Sequence, residues 1–158
     1  MLMNPVFKKL NYKEQKEIFI LQAPESFKKV TDEMDVSIKT SLSGAKRISF
    51  VLAFVSNQKE VDELTTKIVG LLENDGLFWF AYPKGTSKKY TCDFHRDNGW
   101  AVLGKAGFES VRMVAIDEDW SALRFRKPEH ITKMTRSVAL TEEGKKKIAA
   151  TKKVKSKK

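Results

Sequence analysis

An α/β fold, a single mostly parallel sheet with helices on both faces, is what this sequence predicts, and three observations carry the prediction. Apolar runs of strand length alternate with segments whose apolar residues recur at helical spacing, the order that builds strand-helix-strand crossovers. Two of the runs, ISFVLAFV (48–55) and LFWFAY (77–82), are apolar without alternation, as strands are when helices cover both sides of a sheet. The last two strand patterns, VRMVAI and WSALRFR, are separated only by Asp117-Glu118-Asp119, so they form a hairpin whose final strand runs antiparallel. Six strands and about four helices are expected.

In chain order, EIFILQ (17–22) reads as the first strand. PESFKKVTDEM follows as a helix, with Phe27, Val30 and Met34 on one side. VSIKTSL (36–42) alternates Val36, Ile38 and Thr40 and gives the second strand, and ISFVLAFV gives the third. Asn57 is the N-cap of a helix whose stripe of Val61, Leu64, Ile68, Leu71 and Leu72 runs to Glu73. Asn74-Asp75-Gly76 predicts a turn into the fourth strand, LFWFAY. Trp100, Leu103 and Ala106 predict another helix, closed by Gly107. The hairpin of strands five (111–116) and six (120–126) comes next, and Pro128 opens a short helical segment.

With 158 residues and 41% hydrophobic content, the chain builds one core: a domain over 1–134 and a basic tail over 135–158. The single cysteine, Cys92, allows no internal disulfide and no cysteine-rich zinc site, so a reducing cytoplasm is the expected location. No apolar run approaches bilayer length, and no membrane partner is expected. The net charge of +10 is uneven: residues 127–158 hold eleven Lys or Arg against three acids, leaving the rest of the chain almost neutral. The end of the chain, GKKKIAATKKVKSKK, has too few large apolar residues to offset the entropy of ordering, so disorder is expected there. Its Lys145, Lys146, Lys147, Lys152 and Lys153 are candidates for weak, sequence-independent contacts to nucleic-acid phosphates. A solubilising extension with no partner is the other reading.

A closing hairpin on a parallel sheet resembles the ending of the class I methyltransferase fold, a Rossmann-like sheet whose last, antiparallel strand inserts beside its neighbour. That resemblance implies the strand order 2-1-3-4-6-5. Binding S-adenosylmethionine in such a fold takes a glycine-rich turn after the first strand and an acid at the end of the second. This chain has Ala23-Pro24-Glu25-Ser26-Phe27 and Thr40-Ser41-Leu42 at those places, and Ser56-Asn57-Gln58 where an Asp-Pro-Pro-Tyr-like motif would stand. No cofactor is therefore expected. Residues 46–128 also resemble an uncharacterised bacterial family marked by a Tyr-Pro-Lys loop, here Tyr82-Pro83-Lys84, and a closing Trp-Ser-Ala-Leu-Arg-Phe-Arg strand, here Trp120 to Arg126. That resemblance implies the fold and no particular activity.

The loop from Pro83 to Lys89 leaves the carboxyl end of a central strand, where open α/β sheets place their ligands. Lys84, Gly85, Thr86, Ser87 and Lys88 offer it amides, hydroxyls and charge for a phosphate or carboxylate. Of these, Lys84, Gly85 and Thr86, with Ser56, Asn57, Tyr82 and Arg124, form the candidate site for an anion or nucleotide. In the competing reading the proline ends the strand, the glycine turns the chain and the lysines are solvated. Arg124, flanked by apolar neighbours, is expected to pair with Asp93, Asp97 or Asp117, with anion binding as the alternative. Asp93-x-His95-x-Asp97 is too common a pattern to mark a metal, and no Gly-x-Ser-x-Gly elbow is present. No catalytic residue is assigned.

Two functions remain. The first, favoured by the sequence, is a non-catalytic Rossmann-like binding or regulatory module. The second is a small-ligand protein or enzyme with its site at the strand ends. A pocket lined by the polar groups above would favour the second, and a filled crevice the first.

Overall fold

The computed structural model describes residues 4–13, 15–92 and 99–128. The basic tail with its five candidate lysines, the boundary at 134/135 and the Asp93-x-His95-x-Asp97 segment lie outside the described residues.

Six strands form one sheet in the order β2-β1-β3-β4-β6-β5, the order that the resemblance to the class I methyltransferase fold implied. They are β1 (Glu17–Leu21), β2 (Ser37–Lys39), β3 (Ile48–Phe54), β4 (Leu72–Pro83), β5 (Glu109–Ala115) and β6 (Trp120–Arg126). β2, β1, β3 and β4 pair in parallel, and β6 alone is reversed between β4 and β5. The helices are α1 (Pro5–Lys9), α2 (Lys28–Asp32), α3 (Gln58–Val69) and α4 (Ala101–Lys105), with a 3-10 turn over Glu25–Phe27 leading into α2.

Two cores follow from the two faces of the sheet. On one, Phe19, Val51, Phe78, Phe80 and Phe125 pack under Val61 and Ile68 of α3 and Leu103 of α4. On the other, Ile20, Phe50, Leu52, Trp79 and Trp120 pack under Phe7 of α1 and Phe27. Alternation along β6 sends Trp120 and Ala122 to one core and Leu123 and Phe125 to the other. Burying each of these large side chains contributes about 1.5–3 kcal/mol, which is why the aromatic-rich runs become the central strands.

α3 starts where its cap dictates. Asn57, at φ −147, accepts the amide of Glu60 on its side-chain oxygen at 3.0 Å, a bond that usually stabilises a helix by about 1 kcal/mol. The helix ends at Val69, and Leu72 belongs to β4, so the expected extension to Glu73 is not made. The expected turn at Asn74-Asp75-Gly76 is likewise absorbed into β4 as an irregularity. Ile48 pairs with Leu72 and Phe50 with Leu77, so two steps along β3 face five along β4. Asp75 takes a left-handed φ of 56 to make this possible. Gly76 is required there, because a Cβ would lie 2.8 Å from Leu72 Cδ1 and 3.0 Å from the Ile48 carbonyl oxygen.

The remaining differences are at ends. β2 holds three residues rather than seven, and the predicted helix over 24–34 is broken into the 3-10 turn and the five-residue α2. β5 begins two residues earlier than its apolar pattern, at the buried Glu109. α1 was not anticipated, although its signal is in the sequence: Asn4 caps the Val6 amide at 2.8 Å, and Pro5 occupies the first turn. Its end is fixed by Trp79, whose indole Nε1 donates to the Leu10 carbonyl at 3.0 Å. Among the described residues, no helix is long and apolar enough to cross a membrane.

Candidate functional site

The loop after β4 is held against the start of β6 by a small set of hydrogen bonds. Pro83 pairs with Trp120 at the end of the ladder, and the Lys84 amide donates to the Asp119 carbonyl at 2.8 Å. The Ser87 amide then donates to the Lys84 carbonyl at 3.0 Å, closing a four-residue turn with Gly85 and Thr86 at its tip. The Ser87 hydroxyl donates to Asp119 Oδ1 at 2.8 Å, and its oxygen accepts the amides of Lys89 and Tyr90. Asp119 is itself placed by Asp117, whose Oδ1 accepts the amides of Asp119 and Trp120. The hairpin acids therefore organise the lysine-rich loop.

These bonds leave the amides of Gly85 and Thr86, and the Thr86 hydroxyl, without a protein partner among the described residues. Beyond the turn, the Tyr90 ring packs on Trp120 at 4.9 Å and carries the chain over the strand ends to Cys92, which packs against the opposite core. Beneath the loop is a cavity of about 570 Å³, within the range of roughly 300–1,000 Å³ typical of ligand clefts. Lys84, Gly85, Thr86 and Ser87 of the loop line it together with Tyr82 of β4, Met113 of β5 and Ser121 of β6. The Tyr82 hydroxyl donates to the Met113 sulfur at 3.3 Å. The loop is thus a turn and a wall of a cavity at once.

Of the residues the sequence singled out, Tyr82, Lys84, Gly85 and Thr86 come together around this cavity. Ser56 and Asn57 sit at the start of α3, where they turn toward the helix. The Ser56 amide and hydroxyl donate to Glu60 Oε1 at 2.9 and 3.2 Å, and Asn57 Nδ2 donates to the same oxygen at 3.1 Å. This is a reciprocal cap, with the glutamate reaching back while Asn57 caps it.

Arg124 lies mid-strand, in register with Trp79 on β4 and Arg112 on β5. Its expected pairing with Asp117 is not made, since that carboxylate serves the hairpin amides, and Asp93 and Asp97 lie outside the described residues. The buried Nε of Arg124 has no hydrogen-bond partner among the described residues. Burial and the neighbouring Arg126 charge push its pKa down, while Asp75 opposes them. The carboxylate goes to Arg126 instead, a pairing the sequence reading missed because Asp75 appeared to belong to a turn.

No group of three or more metal-capable side chains gathers among the described residues. No protein-family model matches the chain, and no curated protein does. Solved structures do resemble it. A Sulfolobus solfataricus protein assigned to the type 11 methyltransferases is 8% identical at a TM-score of 0.48, over 78% of this chain and 89% of that one. A Haemonchus contortus phosphoethanolamine N-methyltransferase, in complex with phosphomonomethylethanolamine and S-adenosylhomocysteine, is 14% identical at 0.46, over 77% and 37%. The N-methyltransferase NodS from Bradyrhizobium japonicum is 13% identical at 0.44, over 71% and 74%.

Proposed function

We propose that this chain is a non-catalytic Rossmann-like binding module that takes a small anion in the cavity under the Lys84 loop. The observation that carries the reading is the tip of the loop. Two adjacent turn amides and a threonine hydroxyl face no protein acceptor among the described residues, beside a lysine, on the wall of a ligand-sized cavity at the carboxyl end of a central strand. Successive turn amides form a concave partial positive charge that suits phosphate or carboxylate oxygens.

The non-catalytic part of the reading rests on what the other strand ends do. Ser56 and Asn57 hold the Glu60 carboxylate in a helix cap. At the end of β1, Gln22 takes a left-handed φ of 57 and its side chain donates to the Phe54 carbonyl at 2.8 Å, bridging the ends of β1 and β3. A nucleoside cofactor in this fold needs close backbone approach at that turn. The residues present do not fit S-adenosylmethionine.

Inorganic pyrophosphate titrated into the full chain, followed by amide NMR shifts, tests the proposal. Saturable shifts centred on Gly85 and Thr86 are expected, with a Kd below about 1 mM, equivalent to roughly 4 kcal/mol. Replacing Lys84 with Ala should weaken them. Absence of saturation, or equal binding by the Lys84→Ala chain, would remove the reading.

A further inference from the structure

A second cleft, of about 710 Å³, lies apart from the Lys84 loop, on the face of the sheet covered by α3. Its shape follows from the shortness of β2. That strand ends at Lys39, and the next four residues leave the sheet to form one wall, Thr40 to Ser43. Leu64 and Lys67 of α3 and Leu71 beyond its end form the other, with Leu21 of β1 also lining the cleft.

The lining is chemically one-sided. Leu21, Leu42, Leu64 and Leu71 make it apolar, and Leu42, Leu64 and Leu71 are only partly buried by the protein itself. Lys67 is the one charged residue lining it among the described residues, and it is exposed on the last turn of α3. A second cation, Lys39, is also exposed and stands in register with Phe19, so it faces the same side of the sheet. Among the described residues, no carboxylate lines the cleft. A cationic ligand would therefore meet like charge, and a fully polar one would lose its hydration against leucine.

The geometry points to a binding site for a small amphiphilic anion, with an apolar body on the four leucines and a carboxylate directed at Lys67. Thr40 and Ser43 also line the cleft, and each brings a hydroxyl able to donate to a carboxylate. This site shares no lining residue with the cavity under the Lys84 loop and stands or falls independently of it.

Decanoate is the probe, titrated into the full chain while backbone amides are followed by NMR. Saturable shifts are expected at Leu42, Leu64, Gly70 and Leu71. Lys67→Gln should weaken binding about tenfold, the size of one partly exposed charge-assisted hydrogen bond. Decanol should bind more weakly by a similar factor, and Lys84→Ala should leave decanoate binding unchanged. Lys67 is exposed, so its replacement does not threaten the fold. Equal affinity for decanoate and decanol, or an unaltered Lys67→Gln variant, would overturn the assignment. So would shifts confined to Gly85 and Thr86, or shifts at Leu42 and Leu64 that depend on protein concentration alone and report a second copy of the chain in the cleft.

Discussion

Arg126 holds Asp75 through two parallel hydrogen bonds, Nε to Oδ1 and Nη2 to Oδ2, both 2.7 Å long. The fork of the guanidinium matches the carboxylate edge, which makes the pair stronger and more directional than a single contact. It joins the end of β6 to the irregular start of β4, where Asp75 sits in a left-handed conformation. The hydrogen bonds that Arg126 donates to Asp75 raise the arginine's pKa. The same carboxylate also offsets part of the burial penalty on Arg124, so one acid steadies two arginines.

Replacing Asp75 with Asn keeps a side chain that tolerates positive φ but removes the charge. Both partners are about 31% exposed, so solvent screening limits the loss to an expected 1–2 kcal/mol, roughly. Asp75→Ala should cost about 1 kcal/mol more, because alanine adopts φ 56 at a strain that asparagine avoids. Urea melts of the two variants decide the point. Equal losses would mean that backbone strain contributes nothing at this position.

The aromatic anchors of β6 are a second test. Trp120 is 5% exposed and Phe125 fully buried, one in each core. Truncating either to Ala leaves a cavity the sheet cannot collapse into, and should cost about 3–5 kcal/mol. A loss below about 1 kcal/mol for either would place that side chain outside the core and put β6 out of register.

The strands were legible where apolar residues run unbroken, because only burial on both faces requires such runs. ISFVLAFV gives β3 within one residue, and WSALRFR, read from its place in the hairpin rather than from an unbroken run, gives β6. The order of the sheet came from the resemblance that the terminal hairpin suggested, since a hairpin alone does not say where it inserts. What misled was local chemistry overridden by packing. Asn74-Asp75-Gly76 has turn composition, yet pairing with β3 and the Arg126 clasp extend β4 through it. Leu71 and Leu72 fit the stripe of α3, yet the Leu71 amide donates to Ile68 and its carbonyl accepts from Ile48, so the chain has already left the helix. At the candidate site, the loop's residue types were readable but its partner was not, because Ser87 and Asp119 are 32 positions apart. The caps formed by Ser56 and Asn57 show the converse, since residues suited to a ligand are equally suited to a helix end.

Titration calorimetry with S-adenosylmethionine should show no site of micromolar affinity. Gln22 bridges β1 to β3 where the cofactor's approach requires open backbone, and β2 ends at Lys39 and leads into Thr40-Ser41, with no acid for ribose hydroxyls. Single-site binding in the micromolar range would contradict this and restore the methyltransferase reading.

The lysine-rich end of the chain makes a separate prediction from its composition. Residues 135–158 hold nine cations and two acids and no aromatic residue, so any nucleic-acid contact is to phosphates. If about seven phosphates are engaged, affinity for duplex DNA should fall with a log-log salt slope near ~−6. Fluorescence anisotropy should show that a chain ending at Thr135 loses this binding. Equal affinity of the two chains would assign the tail no role in it.

Ser87 and Asp119 give the loop site a prediction of sign. Both hold the turn that presents Gly85 and Thr86, but only Asp119 carries a negative charge beside the proposed anion. Asp119→Asn keeps an oxygen that accepts the Ser87 hydroxyl and removes the repulsion, so pyrophosphate affinity should rise, by about twofold to tenfold at low salt. Ser87→Ala keeps the repulsion and releases the clasp, along with the acceptor for the Lys89 and Tyr90 amides, so affinity should fall. The gain in Asp119→Asn should shrink as salt is raised toward 1 M, where the screening length drops to about 3 Å, while the loss in Ser87→Ala should persist. Changes of the same sign in both variants would mean that the loop's shape alone governs binding and that its charge does not.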